Sequence, residues 1–182
     1  MYDQFSTKAT AVGAEVHRFA TVKGAVEFLL PFLKAEGMGD EPGRYALWAK
    51  GPVLAGLDRG TLQGAGLRFE VSRELASQAR FGISQVDFAL ADTGSLVQDQ
   101  SGVEQRLVSS LPEIHVAIAA TDSILDGKVE LFRRLNPANS RYIAFITGPS
   151  RTADIERVLT IGVHGPQRLV ILFIDELGGD RQ

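Results

Sequence analysis

The sequence predicts an α/β fold in three layers (α/β/α), with helices on both faces of a mainly parallel sheet. Short apolar runs alternate with helical patterns along the chain, and this alternation is typical of such a fold. In the runs 114–120, 142–147 and 169–174 nearly every residue is apolar, as in central parallel strands that are buried on both faces. The last third of the chain therefore predicts the order strand–helix–strand–helix–strand.

The sequence also predicts alternating strands and helices in the first half of the chain. A helix is predicted over 21–37 because its apolar residues recur on one helical face, with Thr21 as a suitable N-cap and Gly37 as a stop. Pro31 lies inside this helix and is expected to kink or split it. A second helix is predicted over 72–82, between a serine cap and a glycine stop. The strands predicted in this half span 14–20, 44–50 and 67–71.

The second half opens with two short apolar runs in 86–98 that meet at the turn signal Asp92-Thr93-Gly94. The helix predicted over 121–136 has Thr121 or Asp122 as its cap. The other helices are predicted over 104–112 and 152–162, and the strands over 113–120, 141–148 and 168–175.

Composition and length indicate a single domain over residues 1–182. Hydrophobic residues make up 45% of the chain and charged residues 23%, which is ordinary globular usage. The formal net charge is −3, so the broad basic surface that wraps nucleic acid is not expected. No signal pattern opens the chain and no apolar run reaches the roughly 18–20 residues of a membrane span, which predicts a cytoplasmic protein.

Several kinds of site lack their usual residues. The chain has no cysteine, which excludes disulfides, thiolate zinc sites, cysteine nucleophiles and thiolate-bound iron–sulfur clusters on this polypeptide. With only three histidines, a transition-metal site would depend on carboxylates, and no metal is predicted. The glycine-rich motifs for dinucleotides and nucleoside triphosphates and the G-x-S-x-G elbow are all missing.

The segment 147–166 gathers turn-forming and charged residues where a predicted strand ends, the position at which open α/β sheets bind ligands. Gly148 allows the chain to turn, Ser150 or Thr152 can cap the following helix, and Asp154 complements the positive end of that helix. These four residues are therefore candidates for ligand binding.

Arg151 adds a guanidinium to the hydroxyls of Ser150 and Thr152. Together with backbone N–H groups at a helix start, these side chains can converge on an anion such as phosphate or carboxylate. The alternative is an ordinary capped helix in which Arg151 pairs with Asp154. Spacing alone leaves both interpretations open.

His164 lies between glycines after the same predicted helix, in "GVHGP". A histidine in such a loop can transfer protons, because its charge changes near neutral pH. It can equally hydrogen-bond a backbone carbonyl and fix the loop. His164 is the candidate proton-transfer group, and Gly165 beside it is a candidate for ligand binding.

The turn "ADTGS" places Asp92, a possible nucleophile or base, beside Thr93, Gly94 and Ser95. Most such turns satisfy only their own backbone, and this is the alternative. Aspartic proteases share the triplet but need two copies and an all-β scaffold, so that interpretation fails. We expect Thr93 to share one cleft with Ser150, Arg151, Thr152 and His164, and Gly94 and Ser95 are further candidates for ligand binding.

Arg106 and His115 flank Pro112, and one interpretation places both in the same cleft. For each as a single residue, surface or structural hydrogen bonds are the favoured interpretation.

In this order the segments resemble the lactate utilization protein C (LutC) family, which is built on the LUD domain. The matching stretches are 81–97, 106–118, 147–166 and the strand that follows, and the resemblance covers roughly residues 12–175. Many relatives carry Ala-Glu-Thr-Gly-Thr where this chain has "ADTGS". This chain is also expected to lack the helical arm that many relatives carry before the first strand. The resemblance implies an α/β/α fold of the NagB/RpiA/CoA transferase-like type, related to sugar-phosphate isomerases and formyltetrahydrofolate cyclo-ligase.

For function, the resemblance implies a component of a bacterial L-lactate utilization system, which oxidises L-lactate to pyruvate. The iron–sulfur clusters are expected on partner subunits, and the absence of cysteine fits a component that holds no cluster itself. A first alternative is a stand-alone enzyme or binding module for a small phosphorylated or carboxylated metabolite. A second is a structural subunit with a vestigial cleft.

Overall fold

The computed structural model describes residues 1–153, 159–161 and 164–178. Its strands are β1 (Glu15–Phe19), β2 (Ala46–Trp48), β3 (Leu67–Arg68), β4 (Phe81–Gln85), β5 (Phe88–Leu90), β6 (Ser95–Asp99), β7 (Ile114–Ala120), β8 (Ile124–Leu125), β9 (Ile143–Ile146), β10 (Arg151–Ala153), β11 (Leu159–Ile161) and β12 (Arg168–Ile174). Its α-helices are α1 (Tyr2–Ala11), α2 (Val22–Ala35), α3 (Pro52–Ala55), α4 (Arg59–Gly64), α5 (Arg73–Ser77), α6 (Val103–Ser110) and α7 (Lys128–Arg134).

A six-stranded sheet with the order β1-β12-β7-β4-β2-β3, here called the main sheet, forms the middle layer. Every neighbouring pair of its strands is parallel. All of β7 is buried, and so is β12 beyond its first residue, because both faces of these strands are covered. The predicted three-layer α/β/α fold with a mainly parallel sheet is confirmed.

The two faces of the main sheet pack against different elements. Alternate residues such as Val116 and Leu172 face one core with α2, α3 and α4. On the opposite face, Ala117 and Phe173 pack against α1 and the short strands β5 and β6. Farther along that face, Leu47 packs against α5 and α6. One outer layer is therefore helical, and the other combines helices with a second sheet.

Helix α2 follows its sequence prediction closely. The side chain of Thr21 caps it by accepting a hydrogen bond from the Gly24 N–H at 3.1 Å. Pro31 lies inside the helix without dividing it, so the predicted split is wrong. Leu29 and Leu33 are buried against the main sheet on both sides of the proline, and this packing stabilises one continuous helix.

The second sheet has the order β8-β5-β6-β9. Strands β5 and β6 are the two predicted apolar runs, and they form an antiparallel hairpin in which Gly94 adopts a φ of 69° at the predicted turn. Strand β9 pairs antiparallel with β6, so its prediction as a central parallel strand is wrong. Its apolar residues face a smaller layer, and Phe145 remains 41% exposed.

Three helix predictions also need correction. Residues 121–125 form a 3-10 turn and the short strand β8, so the helix begins only at Lys128. In place of the predicted helix 152–162, β10 and β11 pair antiparallel. Residues 154–158 and 162 of the predicted helix lie outside the described residues. The β-branched residues Thr152, Thr160 and Ile161 favour the two observed strands, although the apolar spacing of the segment also fits a helix. The helix predicted over 72–82 ends at Ser77.

Helix α1 precedes β1 and is not among the predicted elements. Phe5 and Ala9 on this helix are fully buried in the core beneath β12 and β7. The ring of Phe5 meets the edge of Phe173 at a centroid distance of 5.1 Å. A helix therefore does precede the first strand, where the helical arm of many relatives was expected to be missing.

Candidate functional site

A cavity of about 420 Å³ opens where the main sheet meets the second sheet and α6. Its size lies within the range of about 300–1,000 Å³ that is usual for small-molecule sites. The floor includes His115 of β7 and Leu169 of β12, and Ser109 comes from α6. The rest of the lining consists of the continuous segment from Phe145 to Arg151, together with Pro166.

His115 is the most deeply buried polar group of this cavity. It lies on β7 opposite Gly82 of β4 and Leu169 of β12, and its relative exposure is 0%. Its Nε2 lies 2.9 Å from the hydroxyl of Ser84, whereas its Nδ1 has no hydrogen-bond partner among the described residues. Burial alone lowers the pKa of His115 to about 4, so the imidazole is neutral at pH 7.

A chain of buried amide and hydroxyl groups leads away from His115, and we call it the polar chain. Gln98 Nε2 donates to Ser84 Oγ at 3.0 Å and to the Gln85 carbonyl at 2.8 Å. Gln100 Nε2 donates to Gln98 Oε1 at 2.9 Å and to Ser109 Oγ at 2.8 Å. The polar chain thus joins β4, β6, β7 and α6 beneath the cavity.

The close approach of α6 to β4 depends on Gly82. A Cβ at this position would lie 1.8 Å from the carbonyl oxygen of Val108, so any side chain would push α6 away. This contact brings Ser109, the next residue of α6, into the polar chain. Gly82 therefore sets the spacing on which the floor of the cavity depends.

Arg151 supplies the one charged side chain among the described residues that line the cavity. It is exposed, and its Nη2 donates to the carbonyl of Val12, the C-cap residue of α1. A guanidinium at a helix C-terminus is favoured by the partial negative charge there. Gly148, with a φ of 67°, lets this segment pass close to Val12, since a Cβ would lie 2.5 Å from the Val12 oxygen.

The structure brings together only part of the predicted site. Gly148, Ser150 and Arg151 line the cavity, and Ser95 reaches its wall, because Ser95 Oγ lies 2.8 Å from Thr147 Oγ1. Arg151 and Thr152 begin β10 instead of preceding a helix, so the predicted helix N-terminal anion site is wrong in its geometry. Asp154 lies outside the described residues.

Asp92 and the residues after it lie elsewhere. Asp92 lines a separate cavity of about 450 Å³ with Asp126, Lys128 and Glu130. Thr93 is exposed and lines neither cavity, and Gly94 is buried against the backbone of α1. The described residues that line these two cavities therefore do not support one cleft shared by Thr93 and Arg151.

The loop that carries His164 packs on the rim of the cavity. His164 is exposed and is not among the lining residues. A Cβ on Gly165 would lie 2.9 Å from Ser150 Cβ, and the Ser150 N–H donates to the Pro166 carbonyl at 2.8 Å. Gly165 therefore allows a close contact with a lining residue, and the proton-transfer role of His164 stays a prediction.

The arrangement of the fold agrees with a comparison against known families. A family model described as the LUD domain matches residues 2–174. The chain belongs to the LUD domain family. Among solved structures, this LUD domain is similar to a DUF162 family protein from Deinococcus radiodurans, with a TM-score of 0.64 and 19% identity over 95% of each chain. That similarity concerns the fold alone.

Curated relatives match a shorter stretch of the LUD domain. Lactate utilization protein C from an Exiguobacterium species is 34% identical over 114 residues, which is 59% of this chain and 50% of that protein. Lactate utilization protein C 1 from Bacillus mycoides is 36% identical over 57% of this chain and 47% of its own length. The uncharacterized protein YkgG from Escherichia coli is 35% identical over 56% of this chain and 46% of its own length. The matches thus span about half the length of these relatives.

The buried residues of the site are the ones that sequence reasoning missed. The sequence favours structural hydrogen bonds for His115 over a place in the cleft, and its pattern gives no reason to select Ser84, Gln98 or Gln100. A usable signal existed, because His115 interrupts an otherwise apolar strand, "IHVAIAA". A polar residue within a buried strand needs hydrogen-bond partners, so His115 points to other buried polar groups near it.

Among the described residues, no three metal-binding side chains lie close enough together to hold an ion. None of the helices in this part of the chain combines the length and the apolar composition of a membrane span.

Proposed function

We propose that this LUD domain acts in bacterial lactate utilization as a cytoplasmic component that holds no iron–sulfur cluster. In this proposal the system oxidises L-lactate to pyruvate, and iron–sulfur partner subunits accept the electrons. The similarity to proteins named lactate utilization protein C carries the proposal. These 182 residues contain no cysteine, so the thiolate ligands of a cluster would come from other subunits.

Reconstitution tests this role directly. The partner subunits are assayed with L-lactate and an artificial electron acceptor, with and without the purified LUD domain. We expect pyruvate only when all components are present, and none from the LUD domain alone. Full lactate oxidation by the partners without this chain would contradict the proposal.

A second candidate function is the binding of a small anionic metabolite, either as a stand-alone enzyme or as a binding module. The observation that favours it is the cavity beside Arg151, whose guanidinium is the single charge of the described lining. Arginine matches carboxylate and phosphate groups in both charge and hydrogen-bond geometry. Neighbouring genes for cysteine-rich iron–sulfur proteins would favour the first function, and an isolated gene the second.

The variant Arg151→Ala tests the binding function. We expect its affinity for pyruvate or inorganic phosphate, measured by calorimetry, to fall about ten- to hundredfold, the usual effect of losing a charge-assisted hydrogen bond. Replacing the exposed Arg73 of α5 with alanine is the matched control, and this variant should keep full affinity. Unfolding of Arg151→Ala would instead show that the bond to Val12 holds α1 in place.

A further inference from the structure

We infer that His115 is the buried hydrogen-bond donor of this cavity, and that its Nδ1–H binds an oxygen of a short monocarboxylate whose charge lies near Arg151. The inference rests on the second candidate function, anion binding in the cavity beside Arg151. It adds the chemical class of the ligand and a second binding residue at the floor of the cavity.

The tautomer of His115 follows from the polar chain. The Gln85 carbonyl can only accept, so the Gln98 atom at 2.8 Å from it is the NH₂ group, which fixes the orientation of that amide. The same NH₂ donates to Ser84 Oγ at 3.0 Å. The hydroxyl proton of Ser84 therefore points to its other described partner, His115 Nε2.

With Nε2 as an acceptor, the proton of the neutral imidazole lies on Nδ1. This N–H has no partner among the described residues, and the residue is fully buried. Buried donors in folded proteins are almost always satisfied, by protein, by ordered water or by a ligand. The imidazole lines a cavity large enough for a small molecule, so a ligand oxygen is the partner that fits.

The other end of the polar chain is satisfied without a ligand. Gln100 Nε2 donates to both Gln98 and Ser109, and the Ser109 hydroxyl donates to the Arg106 carbonyl at 3.3 Å. These bonds hold Ser84 and the imidazole in one orientation. The position of His115 Nδ1 is therefore preorganised before any ligand enters.

The lining selects the chemical class of the ligand. Because the imidazole is neutral at pH 7, Arg151 supplies the one positive charge of the described lining, which suits a monoanion. Phe145, Ile146 and Leu169 provide apolar surface for a short carbon chain. Polyphosphates and dinucleotides usually need more cationic or backbone donors than these. A short carboxylate with a second oxygen, on a carbonyl or hydroxyl group, matches this set.

Nitrogen-15 NMR of the histidines tests the inference in the intact protein. At pH 7 we expect His115 to show a neutral ring with the proton on Nδ1. Pyruvate and L-lactate should shift this signal with saturation, and acetate, which lacks the second oxygen, should bind about tenfold more weakly. His17 packs against Phe28 on the opposite face of the main sheet, and its signal should not move.

His115→Phe keeps a ring of similar size but lacks the donor. We expect it to bind pyruvate about tenfold more weakly than the wild type does, with little change for acetate. If His115→Phe does not fold, the wild-type NMR titration alone decides the question. A proton on Nε2 in the free protein would overturn the inference.

The two proposals fail in different ways. If pyruvate binds in an Arg151-dependent manner without shifting the His115 signal, anion binding stands and the role of His115 is wrong. If neither carboxylates nor inorganic phosphate bind, both proposals are wrong. The reconstitution of lactate oxidation is unaffected by either result, because it measures a different property.

Discussion

Replacing Ser84 with alanine removes one oxygen from the middle of the polar chain, and its cost follows from the contacts that are lost. The hydroxyl lies 2.9 Å from His115 Nε2 and accepts from Gln98 Nε2 at 3.0 Å, and all three residues are at most 1% exposed. Alanine leaves His115 Nε2 without a donor. Gln98 Nε2 keeps its hydrogen bond to the Gln85 carbonyl, but its second N–H loses its acceptor.

Each buried polar atom left unsatisfied costs about 1–3 kcal/mol. We therefore expect Ser84→Ala to lower the free energy of unfolding by about 2–4 kcal/mol, measured by urea denaturation at pH 7. For a chain of this size the same loss lowers the melting temperature by about 5–15 °C.

Ser77→Ala, which truncates an exposed serine at the end of α5, serves as the matched control. Exposed substitutions of this kind change stability by about 0.5 kcal/mol or less. If the two variants were equally stable, the polar chain would contribute nothing, and the fixed tautomer of His115 would lose its basis.

Three further predictions concern pH and backbone packing. Burial lowers the pKa of His115 from 6.5 to about 4, so below pH 6.5 the unfolded chain takes up a proton that the folded protein does not. The free energy of unfolding should therefore fall by about 3 kcal/mol as the pH drops from about 6.5 to 4. Urea titrations should show this extra loss in the wild type but not in His115→Phe, and equal slopes would contradict it. Gly94→Ala should detach α1 and speed its proteolysis, since the added Cβ would lie 2.4 Å from the Ala9 nitrogen at a φ of 69°. Gly82→Ala should cost about 3 kcal/mol or more by displacing α6, whereas Gly64→Ala, with open space around it, should be within about 1 kcal/mol of the wild type. A neutral result for either buried glycine would refute the close contact at that position.

The sequence predicts those strands whose two faces are both apolar. β7 and β12 are found where the patterns place them, as is β2, because buried parallel strands need apolar residues on both faces. The edge strand β1 is predicted instead by the alternation of its residues. β4 is not predicted from the sequence, and the reason lies in residues that build the site. Its sequence "FGISQ" carries Gly82 and Ser84, which weaken the strand signal while allowing the approach of α6 and anchoring the polar chain.

The candidate site was only partly predictable because its members come from distant parts of the chain. The segment with Ser150 and Arg151 carries turn-forming and charged residues and could be recognised locally. The apolar pattern after this segment is short and fits both the helical and the strand periodicity. The antiparallel pairing of β10 with β11 selects strands, and this pairing cannot be read from the local sequence. That His115 meets Ser84 follows from strand order, which no local pattern specifies.

The strand order of the main sheet has a consequence for how the polypeptide assembles during synthesis. β12 ends at Ile174 and lies between β1 and β7, so β1 cannot be hydrogen-bonded into the sheet before this late segment is synthesised. Until then β1 and the facing edge of β7 expose unpaired backbone groups to water and to neighbouring chains. The nascent protein therefore completes its centre last, and shortening it before residue 168 would divide the sheet instead of trimming its edge.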